Sequence, residues 1–157
     1  MVEFRGEPIF EGRHLSEASK LCGNSKSFQT GALVLYGSRA TETALNTSDF
    51  DLAIFSNDMG GLDSRHQFTE EMLEHLSFEM RELAKHGVPG EFSCVFLPTE
   101  LSSKSLPAVY FSIAQDGILI WKKSNAYSAW RKQVLENMRE RGVQSTGQGK
   151  GRTWKWR

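Results

Sequence analysis

The chain has 157 residues, 39% hydrophobic and 24% charged, with 19 Lys+Arg against 19 Asp+Glu. That is enough chain for one soluble globular domain with a sizeable core. Its apolar runs are too short to cross a bilayer, the opening MVEFRGEPIF lacks the basic start and apolar core of a signal peptide, and two cysteines, Cys22 and Cys94, without metal spacing fit a reduced cytoplasm.

The zero net charge is unevenly spread. Residues 1–121 carry 9 Lys+Arg against 17 Asp+Glu, a balance of −8, and residues 122–157 carry 10 against 2, a balance of +8. Such an asymmetry means that the C-terminal part either clamps an anionic partner or folds back on the acidic body.

In chain order, residues 2–12 read as a short extended start broken by Gly6 and Pro8, and residues 14–21 as a short helix. Residues 31–36 form a near-continuous apolar run of strand length, the pattern of an interior strand. Residues 38–45 read as a helix with Ser38 placed to cap it, and residues 49–55, DFDLAIF, as the next strand. Phe68, Met72, Leu76, Met80 and Leu83 recur at helical spacing within residues 64–86, with Glu70, Glu71, Glu74 and Glu82 outside. Residues 91–97, EFSCVFL, give a third strand stopped by Pro98, residues 107–114 a helix, and residues 118–121 a short fourth strand. A last, basic helix spans 124–141, with Tyr127, Trp130, Val134 and Met138 on one stripe, and Trp121 and Trp130 are expected between the sheet and that helix. The expected architecture is an α/β (α+β) domain, a small mixed sheet packed by helices, over residues 1–141. Residues 142–157 form a basic, aromatic tail.

Asp49 and Asp51 stand at i and i+2 on a strand and so project to one face. Two unpaired like charges at a buried strand end are unfavourable by several kcal/mol, so either a cation lies between them or the end opens to water. Hard oxygen ligands suit Mg2+, which takes one or two carboxylates and completes its shell with phosphate oxygens. Phosphoryl and nucleotidyl transfer use two such ions roughly 3.5–4 Å apart. The Gly37-Ser38 step complements this pair, because glycine permits a tight turn and a helix start offers free N–H groups to an anion.

The string GSRATETALNTSDFDL resembles the signature of the polymerase-beta-like nucleotidyltransferase superfamily, and among its members the small prokaryotic minimal nucleotidyltransferases, or MNT proteins. Their form runs G-S-R-A-R-G-x-A, three residues, then S-D-x-D-L. Gly37, Ser38, Arg39, Ala40, Ala44, Ser48, Asp49, Asp51 and Leu52 fall in register with it, and Thr41 and Glu42 replace the usual Arg-Gly. The resemblance covers residues 31–123 and implies transfer of a nucleoside monophosphate, AMP from ATP, to a protein, nucleic-acid or small-molecule acceptor. It gives Gly37 and Ser38, with Arg39 and Ser48 beside them, the triphosphate, and Asp49 and Asp51 the two Mg2+ ions. It also implies a HEPN-type toxin as partner, with the chain as antitoxin.

Members of the superfamily carry a third carboxylate on a later strand. Aligning SCVFL puts Ser93 at that position, whereas Glu91 lies two residues earlier on the same face and is the candidate third ligand and base. With Ser93 in place of the acid, the rate falls by the factor of about 10²–10⁴ expected from losing acid–base assistance, and the chain becomes a nucleotide- or partner-binding module. For the tail GKGRTWKWR three readings stay open: stacking on nucleic-acid bases, docking on the acidic face of its own domain, and contact with a partner protein.

Overall fold

The structure is a computed structural model that describes residues 13–26, 28–40, 49–85, 87, 91–102, 105–147 and 152–156. The elements are α1 (Arg13–Asn24), β1 (Ala32–Tyr36), a 3-10 turn (Gly37–Arg39), β2 (Phe50–Ser56), α2 (Leu62–Lys85), β3 (Phe92–Pro98), α3 (Ala108–Asp116), β4 (Ile118–Lys122), α4 (Ala126–Glu140), β5 (Gln144–Thr146) and β6 (Thr153–Lys155). The expected start over residues 2–12 lies outside the described residues.

Four strands form one mixed sheet in the order β3-β2-β1-β4. β1 runs antiparallel to both β2 and β4, and β2 runs parallel to β3. The strands are apolar in both alternations because both faces are covered. Leu33, Leu35, Phe50, Leu52 and Ile54 face α1 and α2, where Ala18, Leu21, Phe68, Met72 and Leu76 complete one core. Ala32, Val34, Ala53 and Phe55 face α3 and α4, where Phe111, Tyr127, Trp130 and Val134 complete the other. On α2 the expected stripe is buried at Phe68, Met72 and Leu76 and half-buried at Met80, and on α4 Tyr127, Trp130, Val134 and Met138 are all inside.

Trp121 departs from expectation. Leu33 pairs with Trp121 but Val34 pairs with Leu119, so Ile120 is an extra residue in β4. This bulge turns Trp121 onto the α1 side, where it packs against the core under α1 and α2 rather than beneath α4.

The tail folds back on its own domain. β5 and β6 form an antiparallel pair in which Ser145 faces Trp154. Trp154 meets Phe111 of α3 edge-on at 5.4 Å between ring centroids, and Arg152 forms an ion pair with Asp116 at the end of α3. Of the three readings of this segment, docking on the acidic body is the one these contacts describe.

Candidate active site

β1, β2 and β3 bring their chemistry to one end of the sheet. β1 ends at Tyr36, which pairs with Asp51, the second residue of β2. The next residue, Gly37, adopts a φ of +73°, a left-handed conformation open to glycine. A β-carbon there would run into the Asp51 carboxylate, with Cγ at 3.2 Å and Cβ at 3.4 Å. The glycine is thus required twice, by its own backbone and by the acid lying over it.

Ser38 lies within the 3-10 turn and is 5% exposed. It is not the cap that the sequence suggested: the capping position is Tyr36, which makes no side-chain cap bond, and the turn is closed by the Ala40 N–H donating to the Gly37 carbonyl at 3.1 Å. The rest of the expected helix, and with it Thr41, Glu42, Ala44 and Ser48, lies outside the described residues, as does the side chain of Arg39.

Asp49 and Asp51 flank Phe50, the first residue of β2. Its ring is fully buried and stacks on Phe92 at 5.2 Å, and strand alternation then turns the half-buried Asp51 to the opposite face, while Asp49, also half-buried, lies just before the strand. That face is the one carrying Tyr36, Ala53 and Phe55. Burial, then the charge of Asp51, pushes the Tyr36 hydroxyl up to about 12, so a neutral phenol stands beside the acid at physiological pH. Tyr36 escaped the sequence reading; its position directly before Gly37 at the end of an apolar strand was the available signal.

β3 supplies the third side. Asp51 is level with Ser93, and the Phe50 N–H donates to the Glu91 carbonyl at 2.9 Å. In a parallel pair, residues level with each other present their side chains to the same face at the interstrand spacing of roughly 4.8 Å, so Ser93 is the immediate neighbour of Asp51. Glu91 lies just before β3 and is exposed. Among the described residues, no group of three or more His, Cys, Asp or Glu comes together in a way that could hold a metal ion. Of the three expected carboxylates, Asp51 lies over the Gly37 turn, Asp49 is half-buried just before β2, and Glu91 is exposed just before β3.

A strand–glycine turn–acidic strand unit on a mixed sheet is the frame of a nucleotidyltransferase domain. The chain belongs to the polymerase beta nucleotidyltransferase family, whose model matches residues 24–126. Solved structures agree on the fold. A chain from a toxin–antitoxin crystal structure with AMP-PNP superposes with a TM-score of 0.55 at 14% identity, over 80% of this chain and 87% of that one. A chain from a complex of tri-AMPylated Shewanella oneidensis HEPN toxin with MNT antitoxin gives 0.53 at 12% identity, over 81% and 85%. A crystal structure from Shewanella oneidensis gives 0.54 at 9% identity, over 83% and 87%. No curated protein sequence matches the chain. No described helix is long and apolar enough to cross a membrane.

Proposed function

We propose that the chain is a Mg2+-dependent nucleotidyltransferase that moves AMP from ATP to a hydroxyl of a partner protein, acting as an MNT-type antitoxin toward a HEPN-type toxin in the cytoplasm. The observation that carries this reading is the Asp51 carboxylate lying over the Cα of Gly37, which joins a phosphate-seating turn to an acidic strand end. A protein acceptor is favoured because a structure of the same fold contains an AMPylated HEPN toxin. The catalytic unit spans residues 1–141, and residues 142–157 are an appended tail.

In this reading the Gly37-Ser38 turn, with Arg39 and Ser48, seats the triphosphate, and Asp49 and Asp51 hold the cation. When bound, the cation supplies charge for the polyphosphate and its leaving group. The acceptor oxygen attacks the α-phosphorus, the bond from that phosphorus to the bridging oxygen breaks, and pyrophosphate departs. The acceptor proton passes to Glu91 or to water.

Ser93 beside Asp51 supports a second reading, a nucleotide- or partner-binding module with little or no transfer. Incubation with α-labelled ATP, Mg2+ and a purified HEPN-fold protein separates the two. Transfer of label that is lost in Asp49→Asn and Asp51→Asn establishes the enzyme; nucleotide binding without label transfer to protein, nucleic acid or small hydroxyl acceptors establishes the module.

A further inference from the structure

The C-terminal hairpin grips α3 at the end nearest the Gly-Ser turn. Asp116 is the last residue of α3, and after Gly117 the chain enters β4 at Ile118, which pairs with Leu35 of β1. The end of α3 is therefore level with the end of β1, and α3 packs against Gly37–Arg39 itself. No slack exists at this joint: a β-carbon on Gly117 would strike the Ile113 carbonyl, the Tyr127 hydroxyl and Val34 Cγ1.

Three donors satisfy this helix end. The Tyr127 hydroxyl and the Gly117 N–H donate to the Ile113 carbonyl at 3.1 and 2.9 Å, and Arg131 Nε donates to the Ala114 carbonyl at 2.6 Å. Asp116 is electrostatically misplaced there, because a helix C-terminus already carries partial negative charge. Arg152 resolves the conflict, and the paired side chains are only 9% and 20% exposed. Arg152 also lies over the Trp154 ring at 5.4 Å, while Trp154 and Trp156 both meet Phe111, so cation, indole and helix lock together.

We infer that Arg152 and Trp154 are positioning residues for the nucleotide site: through Asp116 and Phe111 they fix α3 against the Gly37–Arg39 turn. This rests on the proposed function for its ligand, but the coupling of hairpin to turn stands apart from it. The substitution Arg152→Gln leaves a half-buried carboxylate at a helix C-terminus without its cation, and the strain relaxes into the turn that α3 supports.

The experiment uses the full chain, with Arg152→Gln, Trp154→Phe and the exchange Asp116→Arg/Arg152→Asp. Amide hydrogen exchange at Ala40, whose N–H closes the turn, and calorimetric titration with Mg2+ and a non-hydrolysable ATP analogue are measured on each, with circular dichroism confirming the fold. Arg152→Gln is expected to speed exchange at Ala40 and weaken the analogue by roughly threefold or more, with the stoichiometry unchanged and the exchanged pair recovering much of both. Exchange at Ala40 and affinity both equal to the parent chain overturn the inference. If the parent chain binds no nucleotide yet Ala40 still responds to Arg152→Gln, the coupling is upheld and the nucleotide reading alone falls.

Discussion

The carboxylate of Asp51 rests so close over Gly37 that no β-carbon fits between them. Gly37→Ala forces either the carboxylate or the turn to move, and adds the strain of an alanine at φ +73°. A loss of about 1–3 kcal/mol in urea unfolding is expected, together with loss of Mg2+-nucleotide binding in calorimetry. Gly61→Ala is the control. Its β-carbon meets nothing within 4 Å, so stability there should change by no more than about 0.5 kcal/mol.

Ser93→Asp places a carboxylate level with Asp51 on the neighbouring parallel strand. Without cations the two like charges repel, and the variant is expected to melt below the parent chain. Adding Mg2+ should raise its melting temperature by more than it raises the parent's, because the new site binds the folded state alone. If Glu91 serves as the third carboxylate, Glu91→Gln lowers label transfer in the parent and has little effect in Ser93→Asp. A Mg2+ response no larger in Ser93→Asp than in the parent would show that this strand does not face the cation.

Most of the frame was legible in the sequence because its signals are local. Alternation and unbroken apolar runs marked all four sheet strands, and the 3.6-residue stripe marked α2 and α4 within a few residues. Parity along DFDLAIF put Asp51 on the face opposite Phe50, where it pairs with Tyr36. What escaped was set by contacts distant in sequence. Trp121 changed sides because β4 carries one more residue than β1 can match, a property of the pair. The hairpin strands are three residues long and carry no pattern of their own; Arg152 and Trp154 acquire partners only once α3 is in place. Ser38 read as a cap because its neighbours looked helical, whereas the left-handed Gly37 draws it into a tight turn.

Alkaline pH should destabilise the fold through the buried Cys22 and the half-buried Cys94 and Tyr36. Burial is the main cause in each: it pushes Cys22 from 9.0 to about 12, Cys94 from 9.0 to about 11, and Tyr36 from 10.0 to about 12. A raised folded-state value means that the unfolded chain releases its proton first, so this stability is fully present below pH 9 and falls as pH climbs through the 9–12 window. Melting temperature is expected to be flat between pH 7 and 8.5 and to decline above 9. In Cys22→Ala/Cys94→Ala the decline should begin about one pH unit later, where Tyr36 takes over. An unchanged onset in the double variant would show that the thiols are open to solvent.

Trp130 and Trp121 test the two faces of the sheet separately. Trp130 is fully buried, meets Phe55 edge-on at 4.8 Å, and lies 5.4 Å from Tyr110 and 6.1 Å from Tyr127 between ring centroids. Its replacement by alanine empties the centre of the core between the sheet and α4, and should lower stability by roughly 3–5 kcal/mol. At about 2–4 °C per kcal/mol for a chain of this size, the melting temperature should fall by roughly 6–20 °C. Trp121 is half-buried on the opposite face, with its Cζ2 3.9 Å from the place a β-carbon on Gly23 would occupy. Trp121→Ala should therefore lose less, and the two losses should add in the double variant within about 0.5 kcal/mol, since the sheet separates their packing partners. A larger departure from additivity would mean that the two tryptophans share one core, and that the bulge at Ile120 does not place Trp121 beneath α1.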